Sequence, residues 1–331
     1  MTGPAPHRAG PNRPKARSDA APLITAQQRR RRLGGSFAQQ QSFAEAQEYD
    51  AVRPRYPQQA VEQILALAGS GAGSDSYLEC QIFGAKKPAD PPIPPKIRHS
   101  ISGGASGVAD LRAGRPRVID LGAGTGILSR QLLEAGARVH AVEPSTAMTD
   151  VLAHTAAATA GQLQISNAAA EDTGLAGGEA DIVVAAQAWH WFDPEAVQAE
   201  VRRLLAPGGR LGLIWNYLDT ADATVHRLTR IMRAGDVYRP GWRPTLEAQS
   251  FTTPQAVEYR WSRILSVSEI FRYATTLSSW LAADDAERAR RRANLQDYLH
   301  GELGLDAEDA VELPQITVLH TVRLKHAVPG G

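Results

Sequence analysis

The sequence has little that would cross-link it or draw it to a charged or apolar surface. Cys80 is the only cysteine among 331 residues, which excludes an internal disulfide framework and suits a reducing compartment. The formal net charge is +1, so the chain as a whole has no strong attraction to nucleic acid or to acidic membranes. Its apolar runs are all shorter than the roughly 20 residues that span a bilayer. We expect a cytoplasmic protein that has neither a membrane nor nucleic acid as its partner.

Composition changes along the chain and divides it into segments. Up to Leu33 the chain has eight lysines and arginines, four of them in the run Arg29–Arg32, against Asp19 as the single acid. This head has many prolines and glycines and no periodicity, which predicts a disordered tail. A later stretch of glycine, serine and proline is longer than the connections of a compact domain. The predicted segments are a basic tail at 1–35, an N-terminal helical cap at 36–68, a flexible insertion at 69–114, an α/β core at 115–217 and further helices and strands of the same domain at 218–331.

Strand and helix patterns alternate in the predicted core. The predicted strands are Arg117–Leu121, Arg138–Val142, Leu163–Ser166, Ala180–Ala186 and Gly209–Trp215, and the predicted helices are Ile127–Ala135, Ser145–Ala157 and Pro194–Leu205. Short strands that alternate with helices favour a parallel sheet with helical crossovers. Beyond residue 217 the patterns predict helices at Ala221–Ala234, Ser268–Leu281 and Ala286–Gly301, and strands at Ala256–Leu265 and Ile316–Leu324.

The turn after the first predicted strand has a glycine at every second position, at Gly122, Gly124 and Gly126. Residues without a Cβ allow a tight turn and let a ligand lie against the backbone. Glu143 ends the second predicted strand about 20 residues later, where a carboxylate can accept hydrogen bonds from both hydroxyls of a ribose. The alternative is that this glutamate only caps the helix that follows it. The combination favours a nucleoside-containing cofactor.

Two such cofactors are compatible with a glycine turn, a dinucleotide and S-adenosylmethionine. A dinucleotide site prefers G-x-G-x-x-G, whose last glycine admits the pyrophosphate at the start of the helix. Here the spacing is G-x-G-x-G, and Asp120 stands in the approaching strand two residues before the first glycine. An acid there suits the ammonium group of a methionine moiety better than a pyrophosphate. The residues therefore favour S-adenosylmethionine.

Four more motifs follow the turn V-I-D-L-G-A-G-T-G in order: V-H-A-V-E-P-S at 139–145, A-A-E-D at 169–172, D-I-V-V-A-A-Q-A-W-H-W-F at 181–192 and L-L-A-P-G-G-R-L at 204–211. With these motifs the chain resembles the class I S-adenosylmethionine-dependent methyltransferases, and most closely their small-molecule branch of trans-aconitate methyltransferase-like proteins. The resemblance implies a Rossmann-like, doubly wound, mostly parallel seven-stranded sheet with helices on both faces, an antiparallel C-terminal strand pair and an N-terminal helical cap. It also implies that 115–217 binds the cofactor and 218–331 lies on the acceptor side.

The resemblance also implies roles for individual residues. They are Gly122, Ala123 and Gly124 along the methionine and ribose, Glu143 at the ribose, Pro144 and Met148 at the adenine, Ala170 and Glu171 at the adenine edge, Gln187 below the methionine, and Tyr49 and Arg53 over its amino-acid end. Arg53 would pair with the methionine carboxylate. Family members often have an aspartate where this chain has Ala169, so adenine recognition would depend on backbone amides and Glu171.

Methyl transfer from a sulfonium needs alignment of the acceptor more than a metal or a covalent nucleophile, and we expect no metal. The segment after the fourth predicted strand is the candidate reaction centre because ligands bind at the carboxyl edge of open α/β sheets. His190 is the candidate catalytic base, since its usual pKa is near neutral. The alternative is a structural histidine between two tryptophans. Aromatic residues there and further on would line an acceptor pocket or simply pack; they are Trp189, Trp191, Phe192, Tyr217, Trp242 and Trp280, with Asn216 beside them.

The predicted function is methyl transfer to a small-molecule acceptor, and two alternatives stay open. The arginine-rich head suggests an RNA methyltransferase. However, the Asn/Asp-Pro-Pro-aromatic motif of base-amino methylases does not follow the fourth strand, where Gln187-Ala188-Trp189-His190 stands instead. The other alternative is a regulatory protein that binds S-adenosylmethionine without turnover.

Overall fold

The computed structural model describes residues 42–69, 114–156, 161–235 and 237–325. The predicted tail at 1–35 and nearly all of the predicted insertion at 69–114 lie outside these residues. Within them, no helix is long and apolar enough to cross a membrane.

A seven-stranded sheet forms the centre of the molecule, in the order β3-β2-β1-β4-β5-β7-β6. Its strands are β1 Arg117–Leu121, β2 Arg138–Val142, β3 Leu163–Ser166, β4 Ala180–Ala186, β5 Leu205–Leu218, β6 Gln255–Ser266 and β7 Ala310–Arg323. Strands β1 to β5 are parallel, whereas β7 pairs antiparallel with both β5 and β6. The predicted mostly parallel sheet with an antiparallel C-terminal pair is confirmed.

Helices lie along the sheet and over its carboxyl edge. They are α1 Phe43–Val52, α2 Gln58–Ala66, α3 Ile127–Glu134, α4 Thr146–Thr155, α5 Pro194–Leu204, α6 Ala223–Met232, α7 Val267–Thr275, α8 Ser278–Leu281 and α9 Asp285–Gln296, with a 3₁₀ turn at Trp189–Trp191 and a π-helical turn at Asp297–Glu302. Local chemistry sets several of their starts. Ser42 and Ser266 form capping boxes at α1 and α7, and Asp193 caps α5 just before a proline at its first position.

Most predicted bounds beyond β4 shift by one to five residues, and three elements differ in their pairing or number. Strand β5 begins at Leu205 instead of Gly209, and its pairing with β4 is irregular between the pairs Ala180–Leu205 and Ile182–Arg210. Strand β7 begins six residues before the predicted Ile316, because pairing with β6 extends through Pro314. The helix predicted over Ser268–Leu281 is two helices, α7 and α8.

Alternation along the central strands produces a core on each face of the sheet. On β4, Ile182 and Val184 face one side and Val183 and Ala185 the other, and all four are fully buried. Helices α2, α3 and α4 cover the first side, which places the N-terminal helices near the glycine turn. A third apolar cluster joins α6, α7 and α9 beside the far end of β7. The sheet edge between these layers is the place where the predicted site residues meet.

Candidate active site

The three glycines of the turn after β1 have positive φ angles for different physical reasons. A Cβ at Gly122 would lie 2.7 Å from the Cβ of Ala188, so the turn touches the segment after β4. A Cβ at Gly124 would meet no atom within 4 Å, although the backbone is in the left-handed region. Gly124 therefore faces open space, as a residue must if a ligand is to lie against the backbone.

Gly126 serves packing, and its replacement by alanine is expected to destabilise the fold by about 2–4 kcal/mol. A Cβ there would lie 2.2 Å from Leu152 Cδ1 on α4, and φ is +80°. Urea unfolding measures the change. Gly124→Ala is the matched control, with the same substitution at positive φ but no clash, so it should lose about 1–2 kcal/mol. The double variant Gly126→Ala/Leu152→Ala should lose less than the sum of its two single variants. Equal losses in the two glycine variants would contradict this explanation.

Glu143 holds the glycine turn and the start of α4 together. Its Oε2 accepts a hydrogen bond from the backbone N–H of Gly124, and its Oε1 accepts one from the N–H of Ser145, each at 3.0 Å. The side chain of Ser145 is the N-cap of α4, so Glu143 supports that cap and does not replace it. The residue is 9% exposed, and burial raises the pKa of its carboxyl. Glu143 is thus a fixed acceptor at the end of β2.

Asp120 is fully buried in β1, two residues before the first glycine of the turn. Its Oδ2 accepts a hydrogen bond from the Ser129 hydroxyl at 2.6 Å, whereas Oδ1 has no partner among the described residues. Burial raises the pKa of this carboxyl to about 7, the Ser129 hydrogen bond opposes the change, and the nearby Glu143 adds to it. Asp120 is not among the residues that line the cavity described next, and its contact with the cofactor stays a prediction.

A cavity of about 480 Å³ opens at the carboxyl edge of the sheet beside the turn. This volume is within the range of small-molecule sites. Apart from Asp120, every residue predicted to bind the cofactor lines it: Tyr49, Arg53, Gly122, Ala123, Gly124, Glu143, Pro144, Met148, Ala170, Glu171 and Gln187. The fold therefore assembles in one place residues that are more than a hundred positions apart in the sequence.

Gln187 has the most unusual backbone in this cavity. Its φ is +55°, a left-handed conformation that is uncommon outside glycine. Its Nε2 donates a hydrogen bond to the carbonyl of Asn216 at 2.8 Å, and its Oε1 is buried without a partner among the described residues. Such an oxygen costs about 1–3 kcal/mol until a donor reaches it. Strain and an unsatisfied acceptor together indicate that a ligand supplies an N–H or O–H group here.

Arg53 reaches the cavity from the end of α1. Its Nη2 donates a hydrogen bond to the carbonyl of Thr276 at 2.6 Å, and its guanidinium lies 4.6 Å from the ring centroid of Tyr49. Its Nε has no partner among the described residues. One face of the guanidinium is thus held by the protein, and its pairing with a ligand carboxylate stays a prediction.

Tyr56 lines the cavity but is absent from the predicted set. Its backbone N–H and carbonyl both bond to the side-chain amide of Gln131, at 2.9 and 2.7 Å. Burial raises the pKa of its phenol well above the usual value. Asn216, an open candidate from the sequence, also lines the cavity and donates a hydrogen bond to the carbonyl of Arg55 at 3.2 Å. The aromatic and basic run Arg53-Pro-Arg-Tyr-Pro57 was the available signal for this wall.

The predicted catalytic base does not reach this cavity. In the 3₁₀ turn after β4, Trp191 lines the cavity together with Phe192, whereas His190 lines a second cavity. Successive side chains of a 3₁₀ turn point about 120° apart, so neighbours in sequence face different spaces. The role of His190 as a base at the cofactor cavity stays a prediction, and its place in the second cavity does not favour it. Of the other aromatic candidates, Tyr217 and Trp242 line the second cavity, and Trp280 packs in the helical cluster.

Comparison with known proteins agrees with this geometry. A methyltransferase domain family matches residues 119–213, which run from β1 into β5. An uncharacterized methyltransferase of Mycobacterium tuberculosis is 36% identical over 209 residues, which cover 63% of this chain and 83% of that relative. The chain belongs to the class I S-adenosylmethionine-dependent methyltransferases.

More distant similarities extend to eukaryotes and to solved structures. An uncharacterized methyltransferase of Schizosaccharomyces pombe is 25% identical over 220 residues, covering 62% of this methyltransferase and 82% of the yeast protein. A protein from Anaeromyxobacter dehalogenans, proposed to be a type II methyltransferase, has a solved structure that aligns with a TM-score of 0.49 and 24% identity over 81% of this chain and 97% of that one. The family assignment depends on the mycobacterial relative and not on this structural likeness.

Proposed function

We propose that this methyltransferase binds S-adenosylmethionine in the 480 Å³ cavity and transfers its methyl group to a small-molecule acceptor. Two observations fit that cofactor. The open position of a Cβ at Gly124 leaves room for a ligand against the turn, and the unpartnered Oε1 of Gln187 suits the ammonium group of a methionine moiety. When bound, the cofactor supplies a methyl group on a sulfonium, which is already an activated leaving group.

The residues of the cavity would divide the binding between them. Glu143 would accept hydrogen bonds from the ribose, and the apolar side chains of Pro144 and Met148 would contact the adenine. Arg53 would hold the methionine carboxylate through its Nε–H, which has no partner among the described residues. Tyr56, Trp191 and Phe192 would exclude water and hold the acceptor in line, and such alignment can lower a barrier by about 7–11 kcal/mol.

Two salt bridges hold α1 across the cavity, and this arrangement supports a small-molecule acceptor. Asp50 of α1 forms a salt bridge with Arg130 of α3 at 2.8 Å, and Glu48 forms one with Arg272 of α7 at 2.6 Å. The first pair is largely buried, with side chains 17% and 20% exposed, so solvent screens it less than a surface pair. The same helix provides Tyr49 to the cavity wall. A helix held on two sides restricts access to the cavity, whereas a polymer would need an open groove. The resemblance to the trans-aconitate branch supports the same class of acceptor.

Labelled cofactor tests this proposal. The full chain is incubated with methyl-labelled S-adenosylmethionine and, separately, with a small-metabolite extract or with total RNA. We expect label in low-mass products, identified by mass spectrometry, and its loss with Glu143→Ala. Label in RNA alone would contradict the proposal that the acceptor is a small molecule. If the protein binds S-adenosylhomocysteine but neither pool is labelled, the proposed methyl transfer is contradicted and a regulatory protein is favoured.

A further inference from the structure

A second cavity, of about 390 Å³, lies against the antiparallel part of the sheet. Trp215 of β5 and His320 of β7 line its floor, and Trp242 covers it from the segment between α6 and β6. The three rings contact one another edge to face, with centroids 5.4–5.7 Å apart. Trp242 is nevertheless 43% exposed, which is unusual for a large aromatic side chain. The cavity therefore has an aromatic wall that the protein itself covers only in part.

His320 provides a polar group inside this aromatic wall. The residue is 1% exposed, and its Nδ1 has no hydrogen-bond partner among the described residues. Burial lowers the pKa of the imidazole to about 4, and the Arg243 guanidinium adds to the effect, so the ring is neutral near pH 7. A neutral imidazole accepts a hydrogen bond at one nitrogen. The buried and unpaired nitrogen is explained if a ligand in the cavity supplies the donor.

Two exposed arginines, Arg239 and Arg243, line the same cavity. Neither forms an ion pair with a carboxylate of the described residues. The acid in the lining is Glu258, and its Oε1 accepts a hydrogen bond from the Tyr238 hydroxyl at 2.5 Å. Positive charge thus exceeds negative charge at the described wall, which suits an anionic group.

We propose that this second cavity binds a planar aromatic carboxylate that carries a hydrogen-bond donor on its ring. The ring contacts Trp215 and Trp242, the ring donor pairs with Nδ1 of His320, and the carboxylate lies at Arg239 and Arg243. Aromatic contact, a neutral acceptor and two cations together specify this class and disfavour both purely aliphatic ligands and cations.

The second cavity is separate from the cofactor cavity. Alternate side chains of a strand point to opposite faces, so Trp215 and Tyr217 line the second cavity while Asn216 lines the first. The 3₁₀ turn divides them in the same way at His190 and Trp191. Ligand binding in the second cavity does not depend on the proposed methyl transfer. A binding measurement alone therefore tests the proposal.

Isothermal titration calorimetry with indole-3-acetate provides the test, on the full chain saturated with S-adenosylhomocysteine. We expect a one-to-one complex that forms equally with and without S-adenosylhomocysteine. Indole lacks the carboxylate, and 1-methylindole-3-acetate lacks the ring donor. Each should bind at least about fivefold more weakly than indole-3-acetate. Trp242→Ala should weaken indole-3-acetate about tenfold, and Arg243→Gln about fivefold.

Arg292→Gln is the matched control because this exposed arginine of α9 lines neither cavity; it should leave the affinity unchanged. Since Trp242 and Arg243 are both exposed, the two variants should keep the thermal midpoint of the wild type, and either one suffices if the other unfolds. The proposal is overturned by undetectable binding, by displacement with S-adenosylhomocysteine, by equal affinity for the comparison compounds, or by affinities that neither variant changes.

Discussion

Replacing Glu143 by alanine is expected to weaken the binding of S-adenosylmethionine at least a hundredfold. The carboxylate is held in place by the N–H groups of Gly124 and Ser145, so it meets the ribose without reorganisation. Each hydrogen bond to a charged acceptor contributes about 1.5–3 kcal/mol. Two such bonds contribute about 3–6 kcal/mol, and every 1.4 kcal/mol is about tenfold in affinity.

Calorimetry with S-adenosylmethionine and S-adenosylhomocysteine measures this loss. Glu134→Ala is the matched control: Glu134 is 60% exposed, its ion pair with Arg55 is on the surface, and such pairs contribute little. Because Glu143 also joins the turn to α4, thermal denaturation must show that the variant is folded. Glu143→Gln keeps the shape and one carbonyl oxygen and should lose less affinity than the alanine variant. Unchanged affinity in a folded Glu143→Ala protein would refute the ribose contact.

Folding stability should decrease as pH rises from about 4 to about 7, through Asp120. Its carboxyl has a pKa of about 7 in the folded protein, against about 3.9 in an unfolded chain. The folded state therefore binds the proton of this carboxyl more tightly than the unfolded chain does. The contribution of that proton to folding stability is complete below pH 4 and is lost as pH passes 7. At about 1.36 kcal/mol per pH unit, the difference approaches 4 kcal/mol. The raised pKa of Glu143 acts in the same direction.

Other groups also titrate, so the informative quantity is the difference between variants. Glu200 opposes the trend at low pH, since hydrogen bonds led by that from Arg203 hold its pKa at about 2. Urea unfolding of the wild type and of Asp120→Asn at pH 5 and pH 8 isolates one carboxyl. We expect the wild type to lose more stability than Asp120→Asn over that interval. Asp150→Asn, at an exposed position of α4, should follow the wild type. Parallel losses in wild type and Asp120→Asn would contradict the buried, titrating carboxyl.

Local features of the fold were predictable because they depend on neighbours in sequence. The short run of apolar β-type residues in β1 and the glycine turn lie within ten residues, and the structure has β1 at the predicted bounds. Capping by Asp193, with a proline behind it, likewise marks the start of α5. The end of β5 was missed, since its extension to Leu218 depends on pairing with β7 nearly a hundred residues later.

The sequence does not decide which side chains line the cofactor cavity. His190 and Trp191 are adjacent, and no sequence period decides which of them turns toward the cofactor cavity. Asp120 is two residues from the first glycine, yet it is fully buried and does not line the cofactor cavity. Tyr56 reaches the cavity through its hydrogen bonds with Gln131, 75 residues away. Each of these depends on packing between distant segments.

The sequence by itself determined the family, the parallel sheet and the end of the sheet where the cofactor residues gather. Those properties are encoded locally, in the glycine turn, in the acid after β2 and in the alternation of strands and helices. The tertiary structure decided which side chains share a cavity. It placed Tyr56 and Asn216 beside Gln187, left Asp120 buried, and formed a second, aromatic cavity from β5, β7 and the segment around Trp242. The physical reason is that a cavity is lined by residues that meet only after long-range packing, and no local pattern records their meeting.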